Sequence, residues 1–288
     1  MRELLLTVIA KLIGGYINLL SYIKPQKALS LAYRYFSGPR AGKLIQNKLP
    51  GILKEAKAEM VTINNNIFQM YTWAGMPGKE TVLLVHGWES NASRWKLLIS
   101  YLKKSGCTII ALDAPAHGLS SGTEFSIPLY AKFVDYIVKQ CRPFAMVGHS
   151  LGGITALYYQ ATYKQDIIKK LIVMGAPCDF NMILKNFTRN LRLNSKIRTL
   201  MKKHLANVYG MEPDLFCGDT FASEIKIEGL LIHDNKDKTV PLKDAKKIAE
   251  AWPDAEFLIT KGLGHSMHDD AMYRKIYSFI FTKHKSIT

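Results

Sequence analysis

With 288 residues, 48% apolar and 22% charged, the chain has an ordinary globular mix and enough length for one α/β domain carrying an insertion. That mix excludes disorder and low complexity. The formal charge of +16 invites a nucleic-acid reading, but lysines and arginines are spread along the chain without a nucleic-acid-binding motif, so no nucleic-acid partner is expected.

The first segment, "MRELLLTVIAKLIGGYINLLSYIKP", is apolar. Lys11, Asn18 and the Gly14-Gly15 pair interrupt it too often for a clean membrane span, and it carries no small-residue cleavage site. Thr7, Lys11, Gly14, Asn18 and Ser21 recur at three- or four-residue spacing, so an amphipathic helix would carry them as one polar stripe and leave a broad apolar face. Two readings stay open for it: a helix lying in an anionic membrane interface through residues 1–24, or one docked on the protein's own surface. A second short helix within "KALSLAYRYFSGPRAGKL" should stop at Gly38-Pro39.

From Glu59 to Ala74 the pattern is extended, two strands joined by an asparagine-rich turn. Then short apolar runs, "TVLLV", "CTIIALD", "FAMVG", "KKLIVMG", "EGLLIHD" and "AEFLIT", alternate with helix-length amphipathic stretches. Alternation of this kind predicts a mostly parallel, doubly wound sheet covered on both faces. The rhythm breaks between Ala176 and Ser223, where helical segments occur without a strand-like run. The expected organisation is therefore an N-terminal helical segment (1–56), a core in two parts (57–175 and 224–288), and a helical cap insertion (176–223). Within the insertion, apolar residues such as Met182, Leu184 and Phe187 share the chain with basic ones such as Lys185, Arg189 and Lys196, which suggests a lid with an acyl-binding side and a basic outer side. Cys107, Cys141, Cys178 and Cys217 lack CxxC spacing, pointing to a reducing, cytoplasmic setting and no structural zinc.

"MVGHSLGG" places Ser150 directly after one apolar run and before a helix. On so sharp a strand-turn-helix elbow, side chains two positions either side would collide, and Gly148 and Gly152 remove that collision. A serine hydroxyl needs a base, and the base an orienting acid. Asp237 in "NKDKTVP" and His265 in "KGLGHS" each follow a later strand, on the carboxyl-end side of the sheet where ligands bind. Asp234 and Asp179 compete for the acid, and His268 for the base. His265 is preferred because Gly264 precedes it immediately after the strand. The amides of Trp88, in "LLVHGW", and Leu151 are candidates for an oxyanion hole. His86 and His149 are expected to shape the loop and elbow, and His117 to be structural.

At this point the sequence resembles the α/β-hydrolase superfamily, through "VHGW", "DAPAHGLSSG", "GHSLGG", "HDNKDKTVP" and "GLGHS" in the family's order. The resemblance covers roughly residues 60 to 288 apart from the insertion. It implies a serine esterase or lipase-like enzyme with a Ser150, Asp237 and His265 triad, Trp88 and Leu151 as oxyanion donors, a small acyl ester as substrate, and no metal or organic cofactor. A thioesterase, amidase, C–C hydrolase or peptidase on the same triad, and a non-catalytic membrane-surface binding protein on a hydrolase scaffold, stay open.

Overall fold

The structure, a computed structural model, describes residues 2–282, with side chains from Val8 onward. Thr7 of the polar stripe lies outside the described side chains. In chain order the elements are α1 (Arg2–Ile23), α2 (Pro25–Ser37), α3 (Gly51–Lys54), β1 (Lys57–Ile63), β2 (Asn66–Trp73), β3 (Thr81–Val85), α4 (Lys96–Leu102), β4 (Thr108–Leu112), α5 (Ile127–Cys141), β5 (Ala145–His149) and α6 (Leu151–Tyr163). They continue with β6 (Lys170–Met174), α7 (Phe180–Asn190), α8 (Ser195–Tyr209), α9 (Gly218–Ser223), β7 (Glu228–Asp234), α10 (Leu242–Ala251), β8 (Ala255–Thr260) and α11 (Asp270–Phe281). The chain divides into two compact units, one of residues up to Gly38 with Asp179–Cys217, the other of Pro39–Cys178 with Gly218 onward.

The larger unit is built on one eight-stranded sheet in the order β1-β2-β4-β3-β5-β6-β7-β8. From β4 to β8 all neighbours are parallel, and the β1–β2 hairpin closes one edge with β2 antiparallel to β4. The hairpin turn is Asn64-Asn65, both at positive φ (44° and 67°), a conformation asparagine tolerates better than other side chains and one whose twist suits a hairpin. The central strands are continuous apolar runs because both faces are covered. Every residue of β5 and β6 is buried. Leu84, Val147, Ile172, Leu230 and Ile232 join Trp95, Leu98 and Ile276 in a single apolar core. The order in which strands join the sheet reverses at β3: β4 pairs on one side and β5 on the other. The carboxyl ends of β3 and β5 therefore flank a topological switch point, where open parallel sheets leave a crevice.

The smaller unit contains α1, α2, α7 and α8. Phe36 of α2 meets Phe187 of α7 edge to face at 5.1 Å, and Tyr33 meets His204 of α8 at 4.4 Å. Thus much of the apolar side expected of the insertion, including Leu184, Ile197, Met201 and Leu205, is buried within this unit, while Lys185, Arg189, Lys196 and Lys203 are exposed. No described helix is long and apolar enough to cross a membrane.

Candidate active site

β5 ends at His149 and α6 starts at Leu151, so a single residue, Ser150, makes the whole turn between strand and helix. It does so at φ 54°, ψ −123°, a strained conformation for a residue with a side chain. The turn is held by the Ser150 amide, which donates to the Met174 carbonyl at the end of β6 (2.8 Å). A Cβ on Gly148 would lie 2.6 Å from the Gly152 carbonyl oxygen, and one on Gly152 only 2.2 Å from that of Val85, so backbone passes where side chains would stand. Gly87, after β3, is equally confined: a Cβ there would come within 2.8 Å of the Ser150 Cβ. The loop carrying Trp88 therefore lies against the elbow. Among the described residues, neither the Trp88 nor the Leu151 amide donates to a protein acceptor.

The loops after β7 and β8 bring the acid and the histidine to this turn. Asp237 Oδ2 lies 2.7 Å from His265 Nδ1, and His265 Nε2 lies 3.0 Å from Ser150 Oγ. The Asp237 side chain is fully buried and that of His265 is 24% exposed. Asp237 Oδ1 accepts the amides of Thr239 (2.8 Å) and Val240 (2.9 Å), which aims its other oxygen at the ring. Burial by itself would raise the Asp237 pKa, but the hydrogen bond from His265 and those two amides outweigh it and hold the carboxyl below its usual value. The carboxylate is thus ionised and can only accept. Nδ1 of His265 then carries the proton and Nε2 presents a lone pair to the serine hydroxyl.

The competing residues have other occupations. His268 Nδ1 pairs with the Tyr273 hydroxyl at 2.5 Å. Asp179 caps α7 by accepting the Met182 amide at 3.0 Å. Asp234 accepts the amides of Lys236 (2.8 Å), Leu263 (2.9 Å) and Gly264 (3.0 Å) and the Thr260 hydroxyl (2.9 Å), so it fastens the Asp237 loop to the His265 loop. In the sequence Asp234 stands out only as a rival acid. Its position at a strand end is legible there, but its partners beyond β8 are not.

Three neutral histidines brace the surroundings. His86 donates from Nδ1 to the Gly87 carbonyl (2.7 Å) and accepts the Ala114 amide on Nε2 (2.9 Å). Complete burial drives its pKa down to about 3. His117 accepts the Glu89 amide at 3.0 Å. His149 donates from Nε2 to the carbonyl of His265 (2.8 Å), and its burial likewise depresses its pKa. Arg94, which no sequence motif singles out, donates to the Ser266 carbonyl at 2.9 Å and so ties the segment after β3 to the same histidine loop.

A family model described as alpha/beta hydrolase fold matches residues 80–211. A serine hydrolase-like protein from Homo sapiens is 29% identical over 140 residues, covering 46% of this chain and 66% of that protein. Monoacylglycerol lipase ABHD6 from Homo sapiens is 29% identical over 119 residues, 38% of this chain and 35% of that protein. The match thus spans less than two thirds of either relative. Among solved structures, a thioesterase domain from the curacin biosynthetic pathway superposes with a TM-score of 0.59 at 18% identity, over 79% of this chain and 99% of that one. With a sheet of this order and an elbow at its switch point, the chain has the α/β-hydrolase fold, and the family model matches a little under half of it.

Proposed function

We propose that the protein is a serine hydrolase that cleaves small carboxylic esters through an acyl-enzyme. The observation that carries this reading is the unbroken line from the Asp237 carboxylate (2.7 Å) through His265 to the Ser150 hydroxyl (3.0 Å). Ser150 Oγ attacks the ester carbonyl carbon as His265 Nε2 takes its proton. Asp237 keeps the ring in the productive tautomer and balances the imidazolium charge. The amides of Trp88 and Leu151 receive the oxyanion, each donor being worth about 10²–10³ in rate at sites of this kind. His265 then returns the proton to the departing alkoxide. Water, deprotonated by the same nitrogen, releases the acid and restores Ser150. None of these steps calls on a metal or organic cofactor.

The preference for an ester over a thioester, amide or C–C bond leans on the relative named as a monoacylglycerol lipase. The thioesterase likeness, at 18% identity, bears on the fold alone. A binding protein with a silent hydrolase scaffold would have no need to keep His265 aligned between an ionised acid and a hydroxyl. The reading also includes peripheral contact with an anionic membrane through residues 1–24.

A fluorophosphonate probe tests the proposal directly. The wild type should be labelled and Ser150→Ala should not, and nitrophenyl esters of increasing acyl length should show a preference beyond acetate. A folded wild-type protein that takes no label would refute the hydrolase reading.

A further inference from the structure

α1 buries Ile17 and Leu20, and it also turns Gly14, Asn18 and Ser21 of its polar stripe inward while Lys11 stays exposed. The Asn18 side chain donates to the Arg192 carbonyl (2.8 Å) and accepts the Asn194 amide (2.8 Å), and Asn194 reaches Ser21 Oγ (3.0 Å). Gly14 completes the fit, because a Cβ there would stand 1.7 Å from the Leu191 carbonyl oxygen. The stretch joining α7 to α8 is therefore seated on the polar side of α1, inside one unit.

What this leaves outside is apolar. Val8, Leu12, Tyr16, Leu19, Tyr22 and Ile23 are 45–69% exposed and occupy an arc of roughly 120° at 100° per residue. Half of the exposed large apolar side chains among the described residues sit on this one helix. A contiguous patch of this kind marks an interaction surface. Cations stand beside it: Lys196 of α8 lies 5.2 Å over the Tyr22 ring, Lys11 is exposed next to the arc on the same helix, and the exposed Lys24 follows Ile23 at the helix end. Residues 4–38 and 180–211 together hold eleven lysines and arginines and no acidic residue.

These features select among occupants. A second copy of this chain, laid face to face, would bring two cationic borders together. A bilayer with anionic headgroups accepts both parts of the surface, the apolar arc at acyl-chain depth and the lysines at the phosphates. Tyr16 and Tyr22 suit that boundary, with apolar rings and polar tips. We propose that α1 and the insertion form one docking module for an anionic lipid surface, in which the insertion holds the polar side of α1 and supplies Lys196 to its border. This deepens the membrane contact proposed above, replacing a free N-terminal helix with a surface that needs both segments.

Flotation tests it, using full-length protein with vesicles of equal parts phosphatidylglycerol and phosphatidylcholine, and with phosphatidylcholine alone. Wild type should float with the mixed vesicles and weakly with the neutral ones. The double variant Leu12→Asp/Leu19→Asp should lose at least tenfold in partitioning. Lys24→Gln/Lys196→Gln should lose about fivefold for each charge removed. Circular dichroism checks that each variant is folded. Wild type left in solution with the mixed vesicles overturns the proposal, as does undiminished flotation of the Asp variant. Equal flotation with neutral vesicles overturns the anionic assignment. A dimer in sedimentation that the Asp variant abolishes, without flotation, assigns the face to a second copy instead. Fluorophosphonate labelling of the same samples reads the hydrolase separately, so labelled protein that does not float sinks this proposal alone.

Discussion

The carboxylate of Asp237 is held in a buried position by three donors that converge on it, the His265 ring and the amides of Thr239 and Val240. Replacing it with asparagine keeps the shape but offers Nδ1 a group that can also donate, so the ring loses its fixed tautomer. We expect Asp237→Asn to lower kcat on a nitrophenyl ester by about 10⁴-fold with little change in KM, measured by steady-state kinetics. Asp234 makes no contact with the histidine ring, yet four donors meet on its two oxygens and join the loops that carry acid and base. Burial tends to raise its pKa, and the amides of Leu263 and Lys236, with the other donors, bring it below the ordinary 3.8. A carboxyl whose folded pKa is depressed stabilises the fold fully above its unfolded value and loses that contribution as pH falls through the folded one. Asp234→Asn should therefore melt below wild type at neutral pH, with the gap narrowing only below about pH 4 in thermal scans.

At the scale of elements, the elbow depends on three segments passing within contact of one another: the end of β3, the end of β5 and the first turn of α6. Gly152 sits where all three meet, and a methyl group there would press on the carbonyl oxygens of Val85 at 2.2 Å and His86 at 2.4 Å. Backbone on both sides cannot yield cheaply. Gly152→Ala should cost about 1–3 kcal/mol in denaturant unfolding and displace Ser150 enough to depress turnover as well. This crowding is legible in the sequence, since a serine flanked by glycines between an apolar run and a helix is what a one-residue elbow demands. The runs at Thr81–Val85 and Glu228–Asp234 are equally legible, because strands covered on both faces are largely apolar and end where polar loop residues begin, and the half-exposed edge run Ala255–Thr260 is short and apolar enough to read the same way. Asp237 and His265 follow from those strand ends. The seating of Asn18 against Asn194 leaves no such trace: a contact between distant segments imposes no period on either, and in the sequence the asparagine looks like an interruption of an apolar helix. α3 and α11 likewise do not stand out in the sequence.

On the scale of the whole molecule, the sequence folds into two units with different surfaces. The unit with the sheet holds the Ser150, His265 and Asp237 array together with its bracing histidines. The unit of N-terminal helices and insertion concentrates exposed apolar side chains and cations on one helix and its neighbour. The surplus of positive charge that invites a nucleic-acid reading is thus densest beside an apolar arc, a pairing that suits lipid better than a phosphodiester backbone, which offers no apolar phase to receive the arc. The proposed chemistry turns on one covalent event at Ser150. Acid quenching within milliseconds of mixing with a nitrophenyl ester, followed by peptide mass spectrometry, tests it most directly. The predicted result is an acyl mass increment on the peptide containing Ser150, absent from Ser150→Ala. Ester turnover that persists in Ser150→Ala, or an adduct mapped to another residue, would contradict it.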